Sequence, residues 1–139
     1  MKGIYCLIIT VKKDSRIEIG ASGTKYFAKG SYVYVGSAQN NIEKRAARHS
    51  SKNKRMRWHI DYLLAHPEVT LEKVLYKNTG KDQECTTARL LSECGEPVKR
   101  FGSSDCGCVS HLFRVQSLKN IREIGFKVLK LTGIGLIKT

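Results

Sequence analysis

The sequence predicts an α/β protein of the α+β kind: one domain over residues 1–139, with a small, largely antiparallel sheet flanked by helices. Three observations lead there. A chain of 139 residues suits one hydrophobic core and is short for two. Runs of β-branched and aromatic residues recur along it, and stretches with apolar side chains at helical spacing lie between them. With 41% hydrophobic residues and only two prolines, the chain carries the material for a buried core and shows no polar low-complexity tract.

Gly3 to Thr10 is uncharged and rich in β-branched and aromatic residues, which suits a strand buried on both faces. Arg16-Ile17-Glu18-Ile19 alternates polar with apolar, Gly20 to Gly23 supplies a turn, and Lys25-Tyr26-Phe27-Ala28 returns, so a hairpin is expected. Ser31 to Gly36 is a further strand whose alternation puts Tyr32 and Tyr34 on one face, Val33 and Val35 on the other. Asn40 or Asn41 caps a helix with Ile42, Ala46 and His49 at helical spacing, and Arg45 and His49, four apart, share a face. Ser50 to Lys54 reads as a solvated loop. A second helix carries Trp58, Tyr62 and Leu63 and ends near His66-Pro67, because a residue before proline is biased away from helix. Leu71 to Tyr76 is a strand closed by Asn78-Thr79-Gly80. A third helix enters at Lys81 to Glu84, turns Ala88, Leu90 and Leu91 to the core, and stops at Gly95-Glu96-Pro97. Phe101 to Cys108 is too rich in glycine and serine for a regular element, and His111 to Val115 is expected to close the sheet. Residues 119–139 alternate poorly and fit helix or strand.

Charge narrows the function classes. With 25 Lys+Arg against 12 Asp+Glu, the net charge of +13 points to a polyanionic partner, nucleic acid first, since lysines and arginines that neutralise phosphates release counterions. The longest apolar run, Ile4 to Ile9, falls far below the roughly 20 residues of a membrane span, so no membrane is expected. Five cysteines are an odd number, and the start lacks a signal-peptide pattern, so reduced thiols and a cytoplasmic setting are expected.

Gly3-Ile4-Tyr5 on the first strand, Tyr34-Val35-Gly36-Ser37-Ala38 on a later one, and Glu43-Lys44-Arg45 with Arg48-His49 on the following helix form an ordered set. That set resembles the core of the GIY-YIG nuclease superfamily, which includes phage intron homing endonucleases and the incision subunit of nucleotide-excision repair. Trp58-His59-Ile60-Asp61-Tyr62, Glu84-Cys85, Phe101-Gly102 with Ser104-Asp105-Cys106, and His111-Leu112-Phe113 resemble an uncharacterised, mostly archaeal branch of it. The motif core covers about residues 1–95, with a Cys/His loop and closing segment over 96–139. The connection between the two tyrosine motifs is longer than in compact members, so its hairpin is expected at the sheet edge.

The resemblance implies a metal-dependent endonuclease, with DNA favoured over RNA and repair or processing of structured DNA as its setting. Tyr5 is implied as the base that activates water, and Tyr34 as its support. A phenol's pKa of about 10 means that deprotonation needs a metal, a cation or the phosphate nearby. Arg45 offers a rigid fork for the scissile phosphate. His49 and His59 resemble histidines near the family's active site, which implies an imidazole that hands a proton to the leaving oxygen or contacts phosphate. The resemblance implies a single carboxylate for one Mg²⁺ or Mn²⁺, for which Glu84 is the best candidate and Glu93 the alternative. Lys44, Arg48, Lys52, Lys54, Arg55 and Arg57 form a basic helix-loop that would grip the backbone without sequence choice. Trp58 is read as a core anchor before a base-stacking platform. Cys85, Cys106, Cys108 and His111 have the residue types of a zinc site, but Cys-x-Cys is cramped, and a loop shaped by Asp105 and His111 is preferred. The alternative function is a non-catalytic nucleic-acid-binding module on the same scaffold.

Overall fold

The uncharged first run becomes β1 (Gly3–Val11), which takes the centre of the sheet because neither of its faces seeks water. In the computed structural model, which describes residues 2–38, 40–51, 55–99, 101, 108, 110–116, 126–131 and 136–138, β1 lies between β4 (Gly30–Ala38) and β5 (Val69–Lys77). The remaining strands of this sheet are β6 (Gly95–Pro97), β7 (Leu112–Val115), β8 (Lys127–Leu131) and β9 (Leu136–Lys138). Their order is β6-β7-β4-β1-β5-β8-β9, and every pairing is antiparallel.

Strand alternation sorts the side chains into two cores. Tyr5, Leu7 and Ile9 join Tyr32 and Tyr34 on one face, while Ile4, Cys6 and Ile8 join Val33 and Val35 on the other. α1 (Ile42–Ser50) and α2 (His59–Ala65) contribute Ile42, Ala46, Ile60, Leu63 and Leu64 to the first core. α3 (Gln83–Cys94) contributes Ala88 and Leu91 to the second, giving three layers. A buried Leu or Ile contributes about 1.5–3 kcal/mol. Packing on that scale is what holds a helix as short as α2, whose seven residues fall below the length at which isolated helices persist.

Register brings the two tyrosine motifs together, with Tyr5 opposite Gly36 on β4. A Cβ on residue 36 would come within 2.5 Å of the Tyr5 ring and hydroxyl, so the glycine is what lets the tyrosine lie across that strand. At Gly3, with φ 156°, a Cβ would run into the Lys77 carbonyl of β5. The Asn41 side chain then caps α1 by accepting the Lys44 N–H at 2.9 Å, which starts the helix one turn before Arg45.

Several expectations are corrected. The hairpin of β2 (Ser15–Glu18) and β3 (Thr24–Phe27) does not extend the sheet edge but forms a separate two-stranded sheet. It sends Ile17, Ile19 and Phe27 into the core beside α2, where burial outweighs what edge pairing would offer. β7 does not close the sheet, because the chain goes on to β8 and β9 at the opposite edge. Those two strands account for part of the ambiguous tail. Gly95-Glu96-Pro97 ends α3 and also adds an edge strand, a position that tolerates proline. Leu90 is 40% exposed, because Ala88 and Leu91 carry the inward face of α3. No helix among the described residues is long and apolar enough to cross a membrane.

Candidate active site

β1, β4 and the first turns of three helices converge on one cleft of about 990 Å³. Tyr5, Tyr34, Lys44, Arg45, Arg48, Arg57, His59 and Glu84 line it, with Ser37, Trp58 and Lys81 among them. Residues far apart in sequence are thus gathered on one surface. His49 and Arg55 are not among the lining residues, and Lys52 and Lys54 lie outside the described residues.

Tyr5 is 2% exposed, and its hydroxyl lies 2.9 Å from His49 Nε2. His49 is buried behind it, so the histidine reaches the cleft through the phenol. Burial pushes the Tyr5 phenol up to about 12, with the Arg45 cation pulling the other way. Burial and the neighbouring Tyr5 raise Tyr34 as well.

Arg45 Nη1 donates to the Ser37 carbonyl at 3.2 Å, and its Cζ lies 4.7 Å from the centre of the Trp58 ring. Both contacts fix the guanidinium at the cleft wall. Arg48 Cζ sits 4.4 Å from the same ring, but its fork is engaged: Nη1 and Nη2 each donate to Asp61 at 2.9 Å. Nη2 also donates to the Arg55 carbonyl at 2.9 Å, so Arg48 ties the basic segment to α2. Trp58 packs on the core as expected and also lines the cleft.

Asp61, for which sequence reasoning named no role, is fully buried and accepts the Arg57 N–H at 2.8 Å and the Trp58 N–H at 3.0 Å. Burial alone would raise its carboxyl, but the Arg48 fork and the two backbone N–H groups outweigh it and bring the pKa down to about 2. The signal that marks it is an acidic residue three positions after the residue that opens a helix.

Glu84 stands in the first turn of α3, its side chain 16% exposed, with Oε1 3.2 Å from His111 Nδ1. Burial opposes its ionisation, yet the bonds from His111 and the Ser37 hydroxyl hold the carboxyl below the usual range. An ionised carboxylate therefore faces the cleft. Glu93, the alternative, is exposed on α3 and is not a lining residue. The His59 ring packs on Phe101 at 5.8 Å, and its Nδ1 is buried with no hydrogen-bond partner among the described residues.

Beside Glu84, the ligand atoms of Cys85, Cys108 and His111 all lie within 4.8 Å of one another, a group able to hold a metal ion. His111 turns to Glu84 and lies with the two thiols, whereas Asp105, expected to shape the loop, and Cys106 lie outside the described residues.

No curated protein and no solved structure matches the chain. The family model described as "Domain of unknown function DUF123" matches residues 4–133, and the chain belongs to that family.

Proposed function

We propose that the chain is a divalent-cation-dependent endonuclease of the GIY-YIG kind. It hydrolyses phosphodiesters in DNA before RNA, during repair or processing of structured DNA, in the cytoplasm where its thiols stay reduced. The supporting observation is the shared cleft itself: two phenols, a fixed guanidinium, an imidazole and an ionised carboxylate surround one space. The net charge of +13 supplies the attraction for the backbone.

The roles follow from the contacts. A phenol held at about 12 is protonated at neutral pH, so Tyr5 is a poor base alone. Its 2.9 Å contact with His49 Nε2 offers a relay. With His49 carrying its own proton on Nδ1, the phenol donates to Nε2 while its oxygen accepts a proton from the attacking water, and the histidine ends as imidazolium. Arg45, tethered by Ser37 and Trp58, holds the scissile phosphate and opposes its growing charge. His59 lines the cleft and is the group for the leaving oxygen. Lys44 and Arg57 contact backbone phosphates, whereas Arg48 acts through Asp61 to keep the segment in place.

Glu84 fits a hard cation: one ionised carboxylate open to the cleft suits Mg²⁺ or Mn²⁺, which complete their shells with water and phosphate. Bound there, the ion would supply charge stabilisation to the phosphoryl oxygens. The neighbouring thiols are too soft for that ion.

A non-catalytic nucleic-acid-binding module is the second reading, favoured by burial that keeps both Tyr5 and Tyr34 protonated. One experiment separates them. End-labelled single-stranded, duplex, flap and branched DNA are incubated with the chain and Mg²⁺ or Mn²⁺. Metal-dependent cutting of at least one substrate is expected. Retained binding with no cutting of any substrate would make the scaffold a recognition module.

A further inference from the structure

The soft cluster on the other side of Glu84 has chemistry that phosphodiester hydrolysis does not use. Cys85 lies one residue after Glu84 on α3, while Cys108 and His111 belong to the segment entering β7. Their ligand atoms come within 4.8 Å of one another although residues 86–107 intervene. Around a tetrahedral zinc with Zn–S of about 2.3 Å, two sulfurs stand roughly 3.8 Å apart, so a contraction of at most about an ångström would bring these three ligands onto the ion, with water in the fourth position.

We infer that Cys85, Cys108 and His111 bind one structural zinc ion that pins α3 to the segment before β7 and, through His111, orients the Glu84 carboxylate. Two thiolates and a neutral imidazole are borderline-soft ligands suited to zinc and unsuited to Mg²⁺. Binding displaces the two thiol protons and leaves an overall neutral site. Cys85 and Cys108 line one pocket together.

The second observation is independent of the cysteines. His111 Nδ1 sits 3.2 Å from Glu84 Oε1, with the imidazole buried. A zinc-bound histidine commonly gives its other ring N–H to a carboxylate, which fixes the ring and strengthens it as a ligand. With Nδ1 held by Glu84, His111 would ligate through Nε2. Glu84 then has two duties: one oxygen steadies the soft site, and the carboxylate faces the cleft. His111 is accordingly a positioning residue for the cleft.

The inference concerns metal content and stands whether or not the chain cuts DNA. The full chain, purified without a histidine tag, is analysed for metals, and the metal-free chain is titrated with Co²⁺. Expected are about one zinc per chain and a cobalt spectrum with thiolate charge-transfer and tetrahedral bands. Cys85→Ser and Cys108→Ser should each lose at least about tenfold in zinc affinity, the scale seen when a metal site is weakened. His111→Cys should retain zinc, which excludes simple misfolding as the cause of loss. No bound zinc after exposure to zinc, with no thiolate–cobalt band, would overturn the proposal. So would zinc retained at full affinity in both serine variants, or a native mass showing Cys85 and Cys108 joined as a disulfide.

Discussion

Asp61 and Glu84 are both carboxylates in the first turn of a helix beside one cleft, yet their surroundings differ in the feature that matters. Asp61 is fully buried, and its two oxygens take the Arg48 fork and two backbone N–H groups, which fills the acceptor capacity of a carboxylate. Glu84 is bonded through Oε1 to His111, keeps part of its side chain exposed, and lines the cleft. Both are ionised. A depressed pKa therefore does not by itself mark a ligand-binding acid, because a saturated carboxylate builds architecture while an accessible one can serve chemistry.

On this account the largest effect belongs to the group that meets the phosphate. Arg45→Ala should lower cleavage by about 10³-fold, about 4 kcal/mol of transition-state stabilisation, while unfolding in urea changes little. An equally large loss in stability would put Arg45 on the architectural side with Asp61.

Asp61→Ala should do the reverse. Leaving Arg48 without its partner at a largely buried site costs about 3 kcal/mol, read as a lower urea midpoint. A pH series sharpens the point. The folded-state pKa of Asp61 is depressed from 3.8 to about 2, so the stability it contributes is fully present above its unfolded value and is lost as pH falls through the folded one. The contribution amounts to about 2 kcal/mol. Asp61→Asn should remove it, and the difference between native and variant unfolding curves should shrink from pH 4 to pH 2. A constant difference across that window would contradict the assignment.

Gly36→Ala should cost about 2 kcal/mol, because the new methyl meets the buried Tyr5 ring and one of the two must move. Cleavage should fall with it. Unchanged stability would mean that Tyr5 has room the packing does not reveal.

How much of this was legible depends on the range of the interaction. The alternation of Tyr32 and Tyr34 with Val33 and Val35 is local, and both cores follow it. The helix around Arg45 was readable from Asn41, whose cap is a three-residue contact. The approach of Tyr5 to Gly36 depends on strand register across thirty-odd residues, so only the resemblance between motifs pointed to it. Asp61 was overlooked although its bonds from the Arg57 and Trp58 N–H groups are local, whereas the bond from Arg48, on another helix, appears once both helices pack. The link from Glu84 to His111 is equally non-local. The hairpin's local pattern was clear, whereas its separation from the sheet was decided by what Ile17, Ile19 and Phe27 could bury against.

The most direct test of the account measures DNA cleavage against Mg²⁺ concentration for the native chain and Glu84→Gln, with urea unfolding of both as control. Glu84→Gln should lose metal-dependent cleavage by at least about 10²-fold while its unfolding free energy stays within about 1 kcal/mol of native. Full cleavage by the variant at the same Mg²⁺ concentration would contradict the assignment of Glu84 as the carboxylate that serves the chemistry.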